Sequence, residues 1–214
     1  MIPPDWLRPL VDAARQAGAG ALSRHTRPDG VDGRESAVLM LFGESEITGP
    51  DVLLIERAHT LRSHAGQPAF PGGAVDPDDD GPVAAALREA AEETGLDTSG
   101  VEVLEVMAPL WLPPSGYVVT PVLAWWREPS AVGVMDPEEV ASVHRVALAD
   151  LVDPANRLRV RHPSGYIGPA FAVKGLIVWG FTAGILAALL DAAGLAKPWD
   201  SSRVEPMPSG VRLR

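Results

Sequence analysis

The chain has 214 residues, 18 basic and 28 acidic, for a net charge of −10. That length buries one substantial core, and that charge argues against a nucleic-acid or anionic-membrane partner, so a polyanion must be met locally by metal ions or a few placed arginines. The absence of cysteine excludes disulfides, thiolate catalysis and zinc–sulfur sites, and suits a cytoplasmic protein.

The first residues, "MIPPDWLRPLVDAARQAG", lack the charged and apolar regions of a secretory signal. They read as an amphipathic helix with Trp6, Leu10, Val11 and Ala14 on one side. A polar lead-in reaches Glu35, after which "SAVLMLF" and "DVLLIERA" are two strands joined by a turn. "HTLRSHAGQPAFPGG" is a Gly- and Pro-rich loop, the kind that carries function. The clearest helix follows, with Asp80 as its expected cap, Gly81-Pro82 in its first turn and Gly95 as its left-handed stop. "VEVLEVMAPLWLPP" and "YVVTPVLAWWR" read as strands, and "DPEEVASVHRVALADLVDP" as a loop, a strand and a short helix. Residues Gly175 to Leu190 carry no charge but fall short of the roughly 20 residues a membrane span needs, so they read as a buried core helix. The tail from Lys197 is expected to be disordered. This mixed order favours α+β, an α/β/α sandwich with a mixed central sheet. Residues 1–34 form a lead-in, 35–196 the domain and 197–214 the tail.

The stretch "FPGGAVDPDDDGPVAAALREAAEETGL" crowds seven carboxylates beside two glycines. On a helix, Glu89, Glu92 and Glu93 fall within one arc. Ala84, Leu87, Ala91 and Thr94 form the expected core stripe opposite, so the acids are expected to face away from the core. Ala85 and Ala86, on the acid side, leave room for a bulky anion. Clustered carboxylates repel one another unless a hard cation neutralises them. Mg²⁺ suits, since it takes one or two carboxylates and completes its shell with water and phosphate oxygens. Gly72 and Gly73 let backbone approach a metal or phosphate closely. A solvated acidic face is the bland alternative for the glutamates alone.

From Gly73 to Leu96 the chain resembles the Nudix box, matching at Arg88, Glu89, Glu92, Glu93, Gly95 and Leu96. Asp79 replaces the first glutamate, the gap from it to Arg88 is one residue longer than the general pattern, and Ala90 is a small aliphatic. These departures are similar to those of the coenzyme A pyrophosphatase branch. So is the preceding "LLIERAHTLRSHAGQPAFPGG", with Arg57, Arg62, His64 and Phe70-Pro71-Gly72-Gly73 in place. "SGYVVTPVLA", Glu139-Val140 and "VWGFTAGIL" agree as well.

The resemblance implies a hydrolase that uses Mg²⁺ or Mn²⁺ and water to cleave the diphosphate of a small-molecule nucleotide substrate. For this branch the substrate is coenzyme A or an acyl derivative, giving 3',5'-ADP and 4'-phosphopantetheine or its acyl form. By position, Glu89 and Glu93 are the principal metal ligands, Glu92 a further or water-mediated one, and Gly73 lies at the metal. Arg88 is structural, paired with Asp79 or Asp80, and Gly95 ends the helix. Glu92 and Glu139 are both candidates for the catalytic base. Arg57, Arg62 and His64 are candidates for holding substrate phosphates, although Arg57 equally suits a surface ion pair and His64 a turn hydrogen bond. His25, His144 and His162 read as surface or satisfied side chains, and Trp125, Trp126 and Trp179 as core or interface. A homodimer through the Trp-rich strands or first helix is compatible with the sequence. Hydrolysis of ADP-ribose, a dinucleotide or a nucleoside triphosphate, or binding without turnover, are the competing readings.

Overall fold

The computed structural model describes residues 2–18, 32–61, 64–113 and 115–208; His25 lies outside them. In chain order the elements are α1 (Arg8–Gln16), β1 (Arg34–Ser45), β2 (Gly49–Arg57), β3 (Pro68–Ala69), β4 (Gly72–Ala74), α2 (Gly81–Thr94), β5 (Val101–Val106), β6 (Leu110–Leu112) and β7 (Tyr117–Trp126). Then come β8 (Val140–Ala147), α3 (Leu148–Val152), β9 (Arg157–Arg161), β10 (Ile167–Val173), β11 (Leu176–Val178), α4 (Gly180–Ala192) and β12 (Val204–Pro206).

A large sheet runs β3-β2-β1-β7-β5, with β4 on β1, β6 on β7 and β8 on β2. It is mixed because β1 and β7 run parallel while their other partners are antiparallel. Strand β1 is apolar on both faces, as a strand covered on both sides must be. Met40 and Phe42 join one core with α1 and α4, while Leu39 and Leu41 join another with α2. Helices therefore cover both faces of the sheet, and the fold is an α+β sandwich. A smaller sheet, β11-β10-β9-β12, packs through β10 against α4.

Four expectations are corrected. The uncharged run from Gly175 to Leu190 is not one helix: Leu176–Val178 pairs with β10 as β11, and the chain turns at Gly180, φ +66°, the first residue of α4. The tail is ordered at Val204–Pro206, which pairs parallel with β9. Asp80 precedes α2 without a side-chain capping bond. The face of α2 is also different, since Ala85, Ala86, Ala90, Glu93 and Thr94 are buried. Alanines carry nothing beyond Cβ, so this stripe lets the helix lie close to the sheet. Ala85 and Ala86 are fully buried and leave no room for an anion. Among the described residues no helix is long and apolar enough to cross a membrane.

Candidate active site

The alanine stripe of α2 runs directly into two of its acids, because Ala85, Glu89 and Glu93 stand four residues apart. Glu93 is only 3% exposed, and the Glu89 side chain 17%, whereas that of Glu92 is 60% exposed. Glu93 Oε2 accepts the Gly72 N–H at 2.9 Å, and its Oε1 lies 3.9 Å from Arg57 Nη1. Burial pushes the Glu93 carboxyl up to about 7, against the pull of the Gly72 N–H and Arg57, with Glu89 and Glu139 adding to the rise. Burial also raises Glu89; Arg88 opposes this, while Glu92 and Glu139 add to it.

Gly72 is required by the backbone that lies against it, and Gly73 leaves room for the Glu89 side chain. A Cβ on Gly72 would strike the Ala37 carbonyl on β1, and one on Gly73 would strike the Glu89 carboxylate. Gly72 therefore lets β4 lie against β1, and Gly73 lets the Glu89 carboxylate come close to β4.

Arg88 ties the acidic loop to the helix. Its Nε and Nη2 donate to the two oxygens of Asp79 at 3.0 and 2.9 Å, a paired geometry that favours arginine over lysine. Nη2 also donates to Ala74 O at 3.1 Å, while Nη1 donates to Glu89 at 3.1 Å and Glu92 at 3.0 Å. The Arg88 hydrogen bond holds Asp79 below the usual carboxylate range. Asp76 stands 3.6 Å from the same guanidinium. Gly95, at φ +70°, ends the helix, and its N–H reaches Ala91 O at 2.8 Å.

Arg57 lies at the end of β2 with its Nε buried and unpartnered. Glu139 is exposed in the loop before β8, its carbonyl accepts the Ala58 N–H at 2.8 Å, and its charge acts on both Glu89 and Glu93. His64 is not joined to the acids by any hydrogen bond or ion pair among the described residues. Its Nδ1 lies 3.0 Å from Gln67 Oε1 within an exposed turn. Arg62 lies outside the described residues. Sequence reasoning missed the loop before Glu139, where Gly133 N–H and Met135 N–H donate to Thr94 O and Glu93 O at 2.9 and 3.3 Å. These main-chain bonds satisfy the end of α2 and leave no side-chain signal to read.

The donor set suits a hard divalent cation: the converging groups are carboxylate oxygens, and the charge of the buried Glu93 is only partly answered by one N–H and a distant guanidinium. Among the described residues no three His, Asp or Glu side chains enclose a common point. That is compatible with an ion that takes one or two carboxylates and completes its shell with phosphate and water.

Residues 33–167 match the family model described as the NUDIX domain. The protein called uncharacterized Nudix hydrolase NudL in Escherichia coli (strain K12) is 40% identical over 161 residues, covering 68% of this chain and 77% of its own. Its namesake in Citrobacter koseri gives the same figures. Among solved structures, the Nudix hydrolase RenU from M. Smegmatis aligns with a TM-score of 0.53 at 20% identity, over 78% of this chain and 89% of that one. A NUDIX hydrolase from Nitrosomonas europaea aligns at 0.50 and 16% identity, over 86% and 82%. At such identities these two speak for the fold alone. With the NUDIX model matched over residues 33–167 and the NudL likeness at 40% identity, the chain belongs to the Nudix hydrolase family.

Proposed function

We propose that the protein is a cytoplasmic coenzyme A diphosphatase, cleaving coenzyme A or its thioesters to 3',5'-ADP and 4'-phosphopantetheine or its acyl form. The observation that carries this reading is the position of Arg57, the first arginine of the pre-box motif. It stands beside Glu93 with an unpartnered Nε, so the segment resembling the coenzyme A branch forms a wall of the acid site.

Nudix hydrolases generally use Mg²⁺ or Mn²⁺. Here Glu89 and Glu93 would hold the cation, with Glu92 as an outer ligand and Gly73 permitting close approach. When bound, the cation offsets charge on the diphosphate and makes water easier to deprotonate. Gly72 N–H orients the Glu93 carboxylate. Arg88 is engaged with Asp79 and Ala74, and so acts on the site by fixing the loop against α2. Arg57, with Arg62 and His64 from the following loop, would bind phosphate oxygens. Glu139 is the better-placed proton acceptor, because Arg88 already engages Glu92 while among the described residues no ion pair engages Glu139.

The test incubates the protein with coenzyme A, ADP-ribose, NADH and a nucleoside triphosphate, with Mg²⁺ or Mn²⁺ and with chelator, and identifies products by mass. The expected result is metal-dependent 3',5'-ADP from coenzyme A, reduced at least about 100-fold in Glu93→Gln. Preference for another nucleotide would overturn the substrate but keep the chemistry. No turnover of any would favour a binding protein.

A further inference from the structure

Strand β3 has an unusually weak hold on the sheet. It is two residues long, pairing Ala69 with Ile55 and Pro68 with Glu56, and Pro68 and Pro71 have no N–H to give the ladder. Yet this strand ends the loop that begins at Arg57 and leads to Gly72, so it lies between the two sides of the acid site. The downstream side is pinned independently, since Leu39 N–H donates to Pro71 O at 2.8 Å. On the upstream side, Arg57 N–H donates to Gln67 O and Gly66 N–H to Arg57 O, each at 3.0 Å. Between these anchors, the Pro68 carbonyl is met from the opposite face of the sheet. Thr182 Oγ1, in the first turn of α4, donates to it at 3.2 Å across 114 residues of sequence. Thr182 is buried, and β11, just before α4, packs on β3. A buried carbonyl without this partner would be left unsatisfied.

We propose that Thr182 is a positioning residue, whose hydroxyl fixes Pro68 and so holds the end of the β2–β3 loop in register with Arg57 at the wall of the acid site. The effect falls on substrate binding more than on turnover, because Leu39 holds Pro71, and with it Gly72 and Glu93, without help from α4. That Arg57 meets the substrate rests on the hydrolase reading above.

The experiment compares wild type, Thr182→Val and Thr182→Ser by amide hydrogen exchange and by steady-state kinetics on whichever diphosphate the wild type cleaves best. Thr182→Ala replaces the valine variant if the latter does not fold. Exchange in residues 64–70 is expected to quicken about tenfold in Thr182→Val, with residues 183–190 unchanged. KM is expected to rise about tenfold, with kcat within about twofold, and serine to restore both. Unchanged exchange at 64–70, equal quickening along 183–190, a fall in kcat without a change in KM, or a serine variant that behaves as valine would each overturn the proposal. If the wild type cleaves none of the diphosphates, the hydrolase reading fails, and the exchange comparison alone decides the Thr182 tie.

Discussion

Glu93 carries the largest electrostatic cost in the site. Its carboxyl titrates near 7 in the folded chain, against 4.5 ordinarily, because burial disfavours the charged form. The folded state therefore binds the proton more tightly than the unfolded state. Stability from this group is greatest below pH 4.5 and is lost as pH rises toward 7, by about 3 kcal/mol. In chelator, Glu93→Gln should melt higher than wild type at pH 8 and equally at pH 4, as read by calorimetry. Parallel pH profiles would contradict the assignment. A divalent ion should raise the melting temperature of wild type more than that of the variant. The spacing of the glutamates was legible in the sequence; the burial of Glu93 was not, since its carboxylate meets Gly72 and Arg57, both distant in sequence.

At the scale of the element, the existence and end of α2 were legible, because Gly95 stops it as the left-handed cap chemistry requires. Its face was not. Alanines lie on both sides of "AAALREAAEE", so the apolar pattern does not say which side meets the sheet. Helix–sheet distance decides it, with Ala85, Ala86 and Ala90 allowing the approach that brings Glu89 to Gly73. Ala86→Leu should overpack this contact and destabilise the fold by about 1–3 kcal/mol in urea denaturation. Because it lifts the helix from β4, metal-dependent activity should fall further than the unfolded fraction explains. A stable variant with wild-type activity would show that close packing is not needed. Strand β9 escaped notice for a related reason. "RLRVR" alternates as a strand should, but its arginines hid an inward face.

Across the whole molecule, that inward face explains why the tail is ordered. Arg157 is 2% exposed, its Nε and Nη1 have no hydrogen-bond partner, and its guanidinium lies 4.7 Å from the Phe171 ring and 5.0 Å from the Trp199 ring. Burial lowers its pKa. Aromatic faces thus supply much of the stabilisation that water would otherwise give. Trp199→Ala should destabilise the protein by about 2 kcal/mol in urea denaturation, and a change below about 0.5 kcal/mol would show that the tail is not a structural cover. The sequence by itself determined the order of the principal strands and helices, the ends of α2 and the carboxylate spacing, because these follow from local periodicity and from the backbone needs of glycine and proline. Only the tertiary structure decided which acid is buried, which glycine orients it, what anchors β3 and what orders the tail. Those depend on contacts between segments distant in sequence, such as Thr182 with Pro68 and Trp199 with Arg157, whose partners no local pattern encodes.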